Sequence, residues 1–111
     1  MNTQKQQMKE LVSLFKALGD QTRMRLMRAI ASGMADKVSV NELAEILGVS
    51  QPTASQHIRI LRSVDLVEPE REGNRVYYRV NRETLESYRD KINSMIDVLF
   101  TQCHGFPHCG E

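Results

Sequence analysis

Residues 39–63 read Ser39-Val40-Asn41-Glu42-Leu43-Ala44-Glu45-Ile46-Leu47-Gly48-Val49-Ser50-Gln51-Pro52-Thr53-Ala54-Ser55-Gln56-His57-Ile58-Arg59-Ile60-Leu61-Arg62-Ser63, and this stretch decides the fold. Ser39 and Glu42 stand at S-x-x-E spacing, a capping box in which each side chain is expected to bond the other's free backbone amide. Leu43, Ile46 and Leu47 then follow helical spacing, so a helix is predicted over about 40–47, with Gly48 as its stop. Only Gly48-Val49 separates it from Ser50, a second capping residue. Pro52 follows in the next first turn, where a missing amide proton costs little. The helix begun there, 51–63, turns Ala54, Ile58 and Leu61 inward. Two short helices joined by a tight glycine-containing turn form a helix-turn-helix pattern.

Working outward, Leu66 and Val67 begin a strand and Val76–Val80 form its partner, with Glu72-Gly73-Asn74 supplying positive-φ turn chemistry. Upstream, Met8, Leu11, Val12, Phe15 and Leu18 mark a helix over about 5–18. Gly19 ends it, Asp20 caps the next, about 21–32, and Gly33 and Asp36 signal a loop. Downstream, Asn81 caps a last helix running to about 101, with Leu85, Tyr88, Ile92, Ile96 and Leu99 at nearly heptad spacing. The expected order is α-α-α-α-β-β-α: a mainly α chain with a β-hairpin wing, a winged helix-turn-helix. Residues 1–102 are expected to form this winged-helix domain, and 103–111 a tail containing cysteine and histidine.

The 111 residues suit one domain, and 15 Lys+Arg against 14 Asp+Glu leave a net charge of +1. Global charge therefore gives no sign of a nucleic-acid partner, and such a partner must be argued from where the charges sit. No run approaches the ~18 apolar residues of a membrane span, so no membrane partner is expected. The polar N-terminus lacks the apolar core of a signal peptide, and the reading is cytoplasmic, with the two cysteines as thiols. No phosphate loop, catalytic triad, paired-carboxylate site or metallohydrolase motif occurs, so an enzyme is not expected.

The outward residues of helix 51–63 are Gln51, Thr53, Ser55, Gln56, Arg59 and Arg62, with Ser50 at its start. Gln pairs with adenine edges, and Arg reaches guanine or phosphate. No acidic residue lies between Ser50 and Arg62, as a face turned to phosphate requires. The wing adds Arg71 and Arg75 among Glu68, Glu70 and Glu72, and alternation along a strand suggests Arg71, Gly73 and Arg75 on one face. Arg23, Arg25 and Arg28 are either phosphate contacts or solvated charges. His57 has no Ser-Asp or Cys partner in the sequence and reads as a packing residue or a phosphate contact. The methionines fall mostly at core spacing.

The run from Val40 to Arg62, with Arg71-Glu-Gly-Asn-Arg-Val-Tyr-Tyr-Arg-Val80 and Leu18-Gly-Asp-Gln-Thr-Arg-Met-Arg-Leu-Met27, resembles the ArsR/SmtB repressors over residues 8–100. Gln21 stands where that family usually has proline, and Asp65 where it usually has glycine. Asp tolerates the left-handed conformation, so the same turn is expected. The resemblance implies a two-fold homodimer on an operator in double-stranded DNA, an imperfect palindrome, released or weakened by an inducer. Independently, Met8, Leu11 and Phe15 on the first helix and Leu85, Tyr88, Ile92, Ile96 and Leu99 on the last form apolar seams. A second copy would bury them.

The resemblance also says where the family's metal sensors keep their ligands. The thiol pair falls here on Ser39 and Asn41, and the carboxylate–imidazole set on Arg82, Thr84, Met95 and Val98, none a suitable ligand. The second helix lacks the cysteine of the thiol-persulfide sensors. What remains is the tail Cys103-His104-Gly105-Phe106-Pro107-His108-Cys109. Cys103, His104, His108 and Cys109 are the correct types for zinc or another thiophilic metal or metalloid, although adjacent ligands in each half strain a single-ion loop. Cys103 and Cys109 are equally able to close a short disulfide, worth roughly 2 kcal/mol by chain entropy. The alternatives are an inert tail on a constitutive or differently induced repressor, and a winged helix used as a protein-interaction module.

Overall fold

A computed structural model describes the backbone of residues 2–32 and 37–105 and the side chains of 5–32 and 37–101. The elements are α1 (Asn2–Leu18), α2 (Gln21–Ala31), β1 (Val38–Ser39), α3 (Val40–Leu47), α4 (Gln51–Ser63), β2 (Val67–Glu72), β3 (Arg75–Val80) and α5 (Arg82–Gly105). This is the expected winged helix with one addition, the two-residue β1. It pairs antiparallel with β3, Val38 opposite Tyr78 and Ser39 opposite Tyr77, giving the sheet order β1-β3-β2.

The capping chemistry sets the helix boundaries. Asp20 accepts the Arg23 amide at 3.0 Å and so starts α2. Ser39 Oγ accepts the Glu42 amide at 3.3 Å, but the expected box closes differently: the Ser39 hydroxyl donates to Glu42 Oε1 at 3.2 Å. Ser39 belongs to β1 as well as to the cap. Gly48, at φ 69°, ends α3 in a Schellman motif, its amide bonding Glu45 O (3.2 Å) and that of Val49 bonding Ala44 O (3.0 Å). Ser50 then accepts the Thr53 amide at 3.3 Å, and Asn81 Oδ1 accepts that of Thr84 at 3.2 Å.

Asp65 takes φ 60° between α4 and β2, as expected of the family's glycine position. Left-handed backbone crowds Cβ against the carbonyl oxygen, whereas glycine adopts it freely. Asp65→Gly is therefore expected to raise stability by about 0.5–1 kcal/mol, and Asp65→Val to lower it by about 1–2 kcal/mol. Urea unfolding midpoints of the three proteins check the order.

Leu14, Leu26, Leu43, Ile58, Leu61 and Leu66 are fully buried and join α1, α2, α3, α4 and the turn before β2 into one core. The first half of α5 is tied to it by Tyr88, whose hydroxyl donates to Val64 O at 3.0 Å. Lys91 on α5 also pairs with Glu10 on α1 at 2.5 Å. That hydrogen bond holds the Glu10 carboxyl below its ordinary range, so the pair persists at neutral pH and dissolves as pH falls through that lowered value.

The apolar seams separate into two parts. Leu11 (5% exposed) and Tyr88 (9%) are packed inside the single chain, so they add little to an outward face. The periodicity placed them on the seam because core and seam positions on one helix differ by a single step of the heptad. Met8, Val12, Phe15, Leu85, Ile96 and Leu99 remain exposed, and Ile92 is half-buried beside them.

Candidate nucleic-acid interface

On α4 the buried residues are Ala54, Ile58 and Leu61, as the spacing predicts. Gln51, Ser55, Arg59 and Arg62 recur at helical intervals of four, four and three and so form one stripe along the flank of the buried side, with Ser55 half-buried and the other three exposed. Gln56 flanks Arg59, and both are exposed. Thr53 lies off this stripe and half-buried, its Oγ1 accepting the Ser50 hydroxyl at 2.9 Å. Ser50 and Thr53 thus hold the helix start.

The wing differs from the expectation. β2 and β3 are joined by the two residues Gly73-Asn74, with Glu72 opposite Arg75 and Gly73 at φ 59°. Cross-strand partners share a face, so Arg75 stands beside Glu72 while Arg71, opposite Val76, lies on the other face. Arg71 and Arg75 therefore do not form one basic face; the turn between them breaks the alternation. Both are exposed at the tip.

The three acidic residues of the wing share two cations, Arg79 and Lys37. Glu68, Glu70 and Glu72 share a face with Arg79, whose Nε donates to Glu68 Oε1 at 2.9 Å and whose Nη1 lies 3.6 Å from Glu70 Oε2. Lys37 reaches in from before β1 to Glu72, with Glu70 Oε1 at 3.7 Å. The Glu72 carboxylate holds the Lys37 ammonium above its ordinary range. These cations offset two of the three carboxylates; Arg75 shares the face of the acidic residues, and Arg71 does not. A concave groove lined by Ser39, Asn41, Glu42, Gln51, Asn74 and Arg75 joins the start of α4 to the wing tip.

Arg23 is the residue that the sequence reading misplaces. It is half-buried and turned inward: Nε donates to Ala17 O at 2.5 Å, Nη2 to Lys16 O at 3.3 Å, and Nη1 lies 3.3 Å from His57 Nδ1. Asp20, whose carboxyl the Arg23 amide holds below the ordinary range, fixes the same corner. Arg25 and Arg28 are exposed. His57 is half-buried against Arg23, in keeping with the packing alternative of the two readings above.

Among the described residues no group of three or more His, Cys, Asp or Glu is placed to hold a metal ion. Ser39 is engaged in capping, and Arg82, Thr84, Met95 and Val98 on α5 offer no site. The tail side chains Cys103, His104, His108 and Cys109 lie outside the described residues. Among the described residues no helix is long and apolar enough to cross a membrane.

Comparison with known proteins adds a direct line of support. Residues 18–70 match a family model described as a helix-turn-helix domain. The transcriptional regulator KmtR of Mycobacterium tuberculosis is 34% identical over 97 residues, covering 87% of this chain and 68% of that protein. An arsenical resistance operon repressor of Staphylococcus xylosus is 32% identical over 97 residues, covering 87% of this chain and 86% of that one. Among solved structures, the homodimeric winged helix-turn-helix DNA-binding domain of Mb0332 from Mycobacterium bovis superposes with a TM-score of 0.64 at 26% identity, covering 86% of this chain and 82% of that chain.

Proposed function

The chain belongs to the ArsR/SmtB family of DNA-binding transcriptional regulators, which are not enzymes, and from that membership we propose a homodimeric cytoplasmic repressor that seats two copies of α4 on an imperfectly palindromic operator. The observation that carries this reading is the acid-free stripe Gln51, Ser55, Arg59 and Arg62 on a helix capped at Ser50. Gln56 flanks the stripe, Arg59 and Gln56 read base edges in the major groove, and Arg62, Arg71 and Arg75 meet phosphates. The exposed apolar residues of α1 and α5 support self-association, and a two-fold pair spaces the two α4 helices about one DNA turn, ~34 Å, apart.

The effector reading rests on the donor set of the tail. Two thiols and two imidazoles, Cys103, His104, His108 and Cys109, suit zinc or another thiophilic metal or metalloid, and the same thiols suit a redox signal. Fluorescence anisotropy on DNA from upstream of the protein's own gene tests both. Reduced protein is compared with zinc-, arsenite- and diamide-treated samples, and with Cys103→Ser/Cys109→Ser. At least one treatment is expected to weaken binding tenfold or more, about 1.4 kcal/mol of coupling, only while the thiols are present. Equal binding in every sample would mean an inert tail, on a constitutive repressor or on one whose inducer acts elsewhere.

A further inference from the structure

We propose that Arg23 is a positioning residue for DNA recognition, a clasp by which α1 sets the pose of α4. The proposal rests on the repressor reading, because it concerns how that reading's recognition helix is held. Its basis is one guanidinium shared among three partners. The last carbonyls of a helix have no partner within it. Here Arg23 supplies one, bonding Ala17 O and Lys16 O in the final turn of α1. Arginine can only donate, and its planar fork fixes the direction of each bond. The contact at 3.3 Å from Nη1 to His57 Nδ1 therefore makes Nδ1 the acceptor and puts the ring proton on Nε2.

Position gives this contact its consequence. His57 lies on α4 between the fully buried Ile58 and the exposed Gln56, two residues before Arg59. It belongs to the side of α4 that faces the protein, so its ring fixes how far the helix rotates and thereby where Gln56 and Arg59 point. The other end of the clasp is α1, which exposes Met8, Val12 and Phe15. A shift of α1 against a second copy would move Lys16 and Ala17, and the clasp would carry that shift into α4. Since base contacts depend on ångström-scale placement and phosphate contacts tolerate more, the clasp governs specificity rather than general affinity.

The test uses Arg23→Met, which keeps the stem, His57→Phe, which keeps the ring, and His57→Asn, which restores an acceptor near the Nδ1 position. Affinities for operator and for unrelated duplex are measured at one salt concentration. Arg23→Met and His57→Phe should each weaken operator binding about tenfold, and together no more than about tenfold, since each breaks the same contact. Binding to unrelated duplex should change less than about twofold, and His57→Asn should recover most of the operator affinity. Additive losses, equal losses on both DNAs, or no loss would each overturn the proposal. A long-range ¹H–¹⁵N spectrum of the His57 ring reads the clasp without DNA: Nδ1 unprotonated in the wild type, and a changed tautomer balance in Arg23→Met. A ring indifferent to Arg23 would refute the clasp itself. A wild type that responds in this spectrum but prefers no operator would refute the repressor reading, and the clasp's role in recognition with it.

Discussion

Ile96→Asp is expected to convert the protein to a folded monomer and to weaken operator binding by about a hundred- to ten-thousandfold. Ile96 is 39% exposed in the single chain, with Leu99 at 54% one helical turn further on, so neither is needed to complete the protomer's core. A carboxylate at Ile96 would enter the interface from both copies at once, and each must either be stripped of water or hold the subunits apart. Separation removes the linkage between half-sites, which is where most of the affinity of a two-fold binder resides. Sedimentation equilibrium reads the association, circular dichroism the retained helix content, and anisotropy the operator. A dimer with unchanged affinity would place the interface elsewhere than on α1 and α5.

Arg59→Ala carries the second large effect. Its side chain is exposed at the centre of the outward face of α4, with no carboxylate on that helix to hold it back. A bidentate contact to a guanine is worth about 1–3 kcal/mol of discrimination, and in a two-fold complex the substitution occurs twice. The expected loss is therefore about 2–6 kcal/mol per dimer, concentrated at one base position in each half-site. Arg75→Ala is the matched control. A phosphate contact at the wing tip should weaken all sequences alike and flatten the slope of log affinity against log salt by about one per arginine removed. Competition binding across single-base operator variants, repeated at several salt concentrations, separates the two patterns. Arg59→Ala that lowers all sequences uniformly would assign it to phosphate instead.

The parts of the fold legible in the sequence are those fixed by local chemistry. Asp20, Ser39, Ser50 and Asn81 announce their helices because each bonds an amide three residues on, and Gly48 announces a stop because it must take positive φ. Features that depend on distant partners were not legible. Val38–Ser39 is too short to show periodicity and becomes a strand only because β3 arrives beside it. The faces of the wing follow from a two-residue turn, which puts Arg75 opposite Glu72 and leaves Arg71 on the other side. Within the candidate site, burial of Ala54, Ile58 and Leu61 identifies the outward stripe. Arg23 gave no signal of its inward path, because an arginine bonding carbonyls six and seven residues behind it looks, in sequence, like any other charge on a helix.

Ser39 closes one end of the sheet and opens α3, since it lies opposite Tyr77 in β1 while its hydroxyl caps the helix. The wing and the helix-turn-helix are thus two jaws of one caliper, joined without a slack residue between them. A caliper of fixed gauge cannot follow a duplex of the wrong groove width by swinging one jaw. A duplex seated on both jaws would have to deform to suit, and stiff sequences resist that more than flexible ones. Base pairs that no side chain touches would then contribute to the choice of operator through their stiffness alone.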